Sequence, residues 1–309
     1  VPCAERLAGL MPGAGHMVHM PAHIYIRVGR YGDAIASNEH AVHTDETFIQ
    51  DQRPDGLYPA SYYPHNLHFL AFAATMAGRS GEAIEAARTL GTRVDSALAG
   101  EVMEQQTFQS YLPLTLTTFG AWDAVLAVPL PPAELRLATG LTRYARGVAL
   151  AALGRGGEAA VELDSVRAAA AAATSDPANP YNEARAPLAI AVHALQGEIA
   201  YRGGRPVEAI AHYEAALAIE DTLRYTEPPT WHHPIHHALG AAYLAGGRAA
   251  DAERTYREAL ARFPENGWAL YGLAASLRAQ GRPAEADAVA ARFERAWTGA
   301  DVQLAASRF

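Results

Sequence analysis

One short element, Gly-Arg, three further residues and then Ala, recurs six times along the chain. It stands at Gly29-Arg30 with Ala34, Gly78-Arg79 with Ala83, Gly154-Arg155 with Ala159, Gly204-Arg205 with Ala209, Gly247-Arg248 with Ala252, and Gly281-Arg282 with Ala286. A recurring unit constrains the fold more than any local preference, because single copies bury their apolar faces only by stacking on neighbours. The last two copies are 34 residues apart. Earlier intervals are longer, which points to insertions between units. Gly-Arg reads as the turn between two helices.

The most regular unit runs over 233–266 and carries Leu239-Gly240, Tyr243, Ala252, Tyr256, Ala259 and Pro264. Small residues there let two helices approach, large ones fill the groove beside them, and the Pro stops the second helix. The same register gives units near 15–48, 64–97, 105–138, 140–173, 190–223, 233–266 and 267–300. The third is degenerate: Gly120-Ala121-Trp122-Asp123-Ala124 has lost the turn Arg and one residue. The joins 49–63 (with Asp55), 174–189 (Asp176, Pro177, Pro180, Pro187) and 224–232 (Pro228, Pro229, Trp231) read as ordered surface loops or lids. Pro12 sits where a second helix ends, so residues 1–11 are expected to be the remnant of a helix whose partner is missing.

These spacings resemble the tetratricopeptide repeat over nearly the whole chain. The resemblance implies an all-α, right-handed α-solenoid of about seven helix pairs. The expected organisation is a truncated helix remnant over 1–14, His-rich units over 15–97, degenerate units over 98–189, regular units over 190–300 and a tail over 301–309. The runs from Gly15 to Tyr25 and from Tyr62 to Leu70 are similar to a bacterial, His-rich subgroup that brings no activity with it. Members that grip chaperone C-termini use Lys and Asn, and this chain has no lysine among its 25 basic residues, so that clamp cannot be built.

Composition excludes several classes. One cysteine rules out a disulfide framework, a thiolate zinc finger and an iron–sulfur cluster. Cys3 has no His nearby and is expected as a buried small residue. A net charge of −8 without a basic run argues against nucleic acid. No run approaches about eighteen apolar residues, so no membrane span is expected. No Gly-rich loop follows a strand, so no nucleotide cofactor is expected either. A soluble chain is expected, with cytoplasmic and exported locations both open because a leader could have preceded Val1.

The informative excess is 13 histidines. In the family, positions 2, 5, 9 and 12 of each first helix line the concave face. The first unit puts His16, His19 and His23 at 2, 5 and 9, and the second puts His65, His68 and Phe72 there. His237 takes position 5 of the sixth. Tyr144, Glu198, Tyr201, Trp268 and Tyr271 fall at such positions elsewhere and would line a ligand groove. Residues three and four apart share one side of a helix, and packed helices lie about 8–10 Å apart. Histidines from the two units can therefore converge. His16 and His23 span about 10.5 Å along the axis, so the expected site takes two of the first three plus His65 or His68. Asp45, Glu46 or a loop residue are the candidates for a fourth ligand.

Imidazole ligands suit zinc, copper, nickel or iron, with affinity expected to fall below about pH 6 as the histidines protonate. The competing structural reading stacks these rings on Tyr62, Tyr63 and Tyr25. His236 and His193 occupy a packing position, His40 and His43 lie on a second helix, and His212 is expected at the surface. The function expected is a binding module whose groove holds a peptide or protein, together with a transition metal. The alternative is a metalloenzyme in which a His-ligated metal activates water or oxygen.

Overall fold

The computed structural model describes residues 1–54, 56, 58–95, 98–100, 102–173 and 184–309. Asp55 of the first join lies outside them, as do Asp176, Pro177 and Pro180 of the second. Among the described residues there are sixteen α-helices and one π-helical turn over Tyr58–Tyr62, with no strand. After the short α1 (Pro2–Leu7), a broken first helix, α2 (Gly15–His19) with α3 (Pro21–Arg27), pairs with α4 (Tyr31–Gln52). Six more pairs follow: α5 (Tyr63–Met76) with α6 (Ser80–Thr92), α7 (Met103–Thr118) with α8 (Trp122–Ala127), and α9 (Arg136–Ala152) with α10 (Gly156–Ala172). The rest are α11 (Arg185–Arg202) with α12 (Pro206–Glu220), α13 (Ile235–Ala245) with α14 (Ala249–Arg262), and α15 (Gly267–Ala279) with α16 (Pro283–Ala296). Each pair packs on the next, so the architecture is an α-solenoid of helix pairs.

The repeated element explains itself physically. Its Gly has positive φ, and the following Arg N–H bonds to the carbonyl five residues back at 2.8–3.0 Å, which satisfies an orphan carbonyl at the end of the first helix. The guanidinium then pairs with an acid three residues on, at Asp33, Glu82, Glu158, Glu208, Asp251 and Glu285. Exposed pairs of this kind add little stability. They fix the start of the second helix. At the degenerate unit Gly120 keeps the turn, with φ +69 and Ala121 N–H bonded to Leu116 O at 3.0 Å, but no Arg is there and α8 has six residues.

The array closes on itself. Trp268 of α15, fully buried, donates its indole N–H to Thr75 O of α5 at 2.9 Å and packs on Phe119. Phe72 meets Phe263 at 6.1 Å. Past α16, Asp301 accepts from the Ser80 and Gly81 amides at 2.6 and 2.8 Å and so caps α6. The join 224–232 turns inward rather than lying on the surface: Trp231 is buried against Tyr144, because the indole has more apolar surface to bury between α9 and α13 than outside. Cys3 corrects a second expectation. It is exposed, since α1 buries only Ala4.

Two glycines separate strain from space. Gly154 has φ +75 with open space around its Cα, whereas at Gly78, φ +73, an added Cβ would lie 2.3 Å from the Trp297 ring. Gly154→Ala should cost about 1–2 kcal/mol of backbone strain. Gly78→Ala should cost roughly 3 kcal/mol or more, since Trp297 must also move. Urea unfolding of the two variants measures the difference, and equal losses would show that Trp297 does not hold the closure.

Candidate metal centre

Three histidines from two units meet beside the break between α2 and α3. Pro21 opens α3 and cannot continue the hydrogen-bond ladder of α2, yet His19 and His23 stay on one face. His65 enters from the first turn of α5. One ligating nitrogen from each of His19, His23 and His65 lies within 4.8 Å of the other two.

The outer nitrogens are already committed. Asn38 of α4 donates its amide N–H to Ala34 O at 2.7 Å, which leaves Oδ1 to accept from His19 Nδ1–H at 2.7 Å. His23 Nδ1–H donates to Glu227 Oε2 at 2.5 Å, and Tyr225 donates to the same carboxylate. With His23 neutral, both Nε2 atoms carry lone pairs, and they face each other at 2.9 Å. Two lone pairs at that separation repel, while a cation between them makes each a ligand. Tetrahedral zinc, with Zn–N near 2.05 Å, would set two imidazole nitrogens about 3.3 Å apart. The Phe69 ring lies 4.6, 4.5 and 5.0 Å from the rings of His19, His23 and His65 and walls the site with apolar surface.

Burial keeps His19 and His65 in the ligand form. His19 is fully buried, and desolvation, with smaller contributions from His65, His23 and His16, pushes it down to about 2 against the opposing Asn38 bond. His65 is pushed down to about 3 by burial and then by His68, His23 and His16. Proton competition at these two sites therefore begins far below the pH 6 expected of exposed histidines.

The other candidate residues are placed apart. His16 flanks the trio with its ring 4.6 Å from Tyr62, as the stacking alternative has it, and its buried Nδ1 has no partner. His68 turns away and packs on Tyr111 and Phe108, at 4.4 and 5.6 Å. His237 lies elsewhere, 3.0 Å from His233. Asp45 is taken by Tyr58 and Asn66, and Glu46 by Tyr63. His40 and His43 are exposed. Phe72 is core, and Tyr144 packs on Trp231 and His232. Glu198, Tyr201, Tyr271 and Trp268 surround the segment after Trp297. Asn38, Phe69 and Glu227 were not visible as site residues. Asn38 offered one signal, standing one turn after Ala34 on the helix that faces His19. Glu227 offered none, being 204 residues from His23.

Comparison with known proteins identifies the repeat. A tetratricopeptide repeat family model matches residues 243–295, and a second tetratricopeptide repeat model matches 140–165. The chain carries tetratricopeptide repeats over these two stretches. No curated protein matches this repeat protein. It is similar to the crystal structure of a thermophilic TPR protein of Thermus thermophilus, at 20% identity and a TM-score of 0.33, covering 86% of this chain and 99% of that one. It is also similar to yeast Tom70, at 13% identity and a TM-score of 0.31, covering 96% of this chain and 83% of that one. Among the described residues of the repeat protein, no helix is long and apolar enough to cross a membrane.

Proposed function

We propose that this repeat protein is a binding scaffold whose first two units hold a transition metal ion through His19, His23 and His65. Stacked repeats of this class present a concave surface to peptides and proteins, which supports the scaffold part. One observation carries the metal part: three imidazoles converge, two of them with outer nitrogens already bound and inner lone pairs facing at 2.9 Å. Metal-binding histidines characteristically donate their second nitrogen in this way. Three protein ligands leave a position open. Zinc, copper, nickel and iron all suit imidazole. Nothing in the geometry favours a metalloenzyme over a metal-binding scaffold.

Glu227 does two things in this reading. It orients His23, and it ties the inward loop to the site. The test is metal analysis of protein purified without a His-tag or nickel resin, followed by zinc and copper titration calorimetry. Near-stoichiometric metal is expected, lost in the His19→Ala/His65→Ala double variant while its helical spectrum stays native. Metal-free protein that neither zinc nor copper binds would overturn the proposal. Glu227→Gln keeps an acceptor for His23 but removes the charge, and should weaken metal binding by about 10- to 100-fold; an unchanged affinity would remove Glu227 from the site.

A further inference from the structure

The groove expected to hold a partner holds part of this chain. Between Val302 and Phe309 the main chain makes no hydrogen bond to other main-chain groups of the described residues, so side chains hold the segment in place. Ser307 donates to His237 O at 2.8 Å and accepts from the Tyr256 hydroxyl at 2.7 Å. Arg308 pairs with the buried carboxylate of Glu198, donates to the Tyr213 hydroxyl at 2.7 Å and lies over the Tyr201 ring at 4.8 Å. Phe309 stands edge-on to Trp268, 5.9 Å away, and its carbonyl accepts from Arg202. Three of the residues that the repeat register assigns to the ligand groove, Glu198, Tyr201 and Trp268, thus meet a Ser-Arg-Phe sequence.

Two features set this segment apart from ordinary core. Glu198 also accepts from Arg202 and Tyr213, so its buried charge stays paired without Arg308. The segment also underfills its seat. A pocket of 240 Å³, partly open to solvent, lies beside Ala305, Ala306 and Ser307, bounded by Tyr201 and Tyr271. A second, of 70 Å³, adjoins Arg308 and Phe309.

We propose that this groove is a recognition site for an extended peptide carrying Ser-Arg-aromatic, which residues 305–309 occupy in cis and which a partner segment of the same chemistry occupies by displacing them. Glu198 selects the Arg, Trp268 the aromatic ring, and the space beside Ala305 and Ala306 accepts a larger side chain in the partner than this chain supplies. The inference rests on the scaffold part of the proposed function and not on its metal part, so its failure leaves metal retention untouched.

The test uses the full chain with Arg308→Ala and a fluorescent, acetylated and amidated peptide, Ala-Ala-Ser-Arg-Phe, followed by anisotropy. A tethered segment competes at an effective concentration near millimolar. Releasing its anchor should therefore tighten peptide binding by about ten-fold or more over the unsubstituted chain. Ala-Ala-Ser-Ala-Phe should not bind, and Leu-Leu-Ser-Arg-Phe should bind more tightly. A natively helical variant that does not bind the peptide, or binds the Arg and Ala peptides equally, would overturn the proposal. If the variant loses its helical spectrum, hydrogen exchange on the unsubstituted chain decides. Amides 302–309 exchanging well before those of α13 and α15 would support displacement. Protection equal to those helices would make the segment core and end the proposal.

Discussion

Metal-free protein is expected to lose most of its stability between about pH 6.5 and pH 5, and to unfold well above the range where carboxylates titrate. Burial pushes His19 down to about 2, His65, His68 and His233 to about 3, and His236 to about 4, with His232 and His237 moved the same way. These groups stay neutral in the folded chain and take up protons in the unfolded one once the pH falls below about 6.5. The unfolded state binds more protons in that window, so stability falls with pH. Each buried imidazole should contribute about 1–2 kcal/mol of loss from pH 7 to pH 5. Five of them together reach the order of the whole folding free energy, about 5–15 kcal/mol. Glu220 opposes this: burial holds its carboxyl up to about 7, so the folded state takes up that proton. It offsets about one histidine. Urea unfolding of chelator-treated protein at pH 7 and pH 5.5 measures the effect. Equal stability at the two values would mean that the histidines are not buried as described.

The histidine count alone did not indicate where this acid sensitivity lies, but the repeat register did much of that work. Gly-Arg-x3-Ala marks a helix end set by one left-handed Gly and one Arg amide, a local event readable from neighbouring residues. Positions 5 and 9 of the first unit were likewise readable as one face, and His19 and His23 share it. The convergence of His65 followed from helix spacing. What stayed hidden depends on accumulated curvature. The turn of each unit on the next is small, and only its sum over several pairs brings the loop at Glu227 onto His23 or Trp268 onto Thr75. The choice of His65 over His68 was hidden for a different reason. Three residues along α5 decide whether a ring faces the first unit or the Tyr111 and Phe108 rings of the third. The groove residues were legible at Glu198, Tyr201 and Trp268, but nothing local said that the chain itself would fill the groove.

Trp268→Ala tests how far that closure matters to the site. The indole is fully buried between α5, Phe119, His233, Trp297 and Phe309. Truncation should cost about 3–5 kcal/mol, the range for a large buried aromatic whose cavity collapses only in part. The lost contacts join the seventh unit to the second at Thr75, to the third at Phe119 and to the segment before α13 at His233, so the loss falls on the closure and not on any one helix pair. Each pair keeps its own turn, and the far-ultraviolet spectrum should stay close to native under conditions where the chain remains folded. The closure is also what brings Glu227 to His23. A looser ring should therefore weaken metal binding even though Trp268 touches none of the three ligands, and by no more than the roughly 10- to 100-fold expected for losing Glu227 itself. Trp268→Phe, which keeps most of the volume and loses the bond to Thr75 O, should fall between the two proteins in both measurements. If Trp268→Ala unfolds at the same urea concentration as the parent, the seventh unit does not depend on its contacts with the second and third. A parental metal affinity in a destabilised Trp268→Ala would instead place the metal centre wholly within the first two units, with Glu227 a bystander.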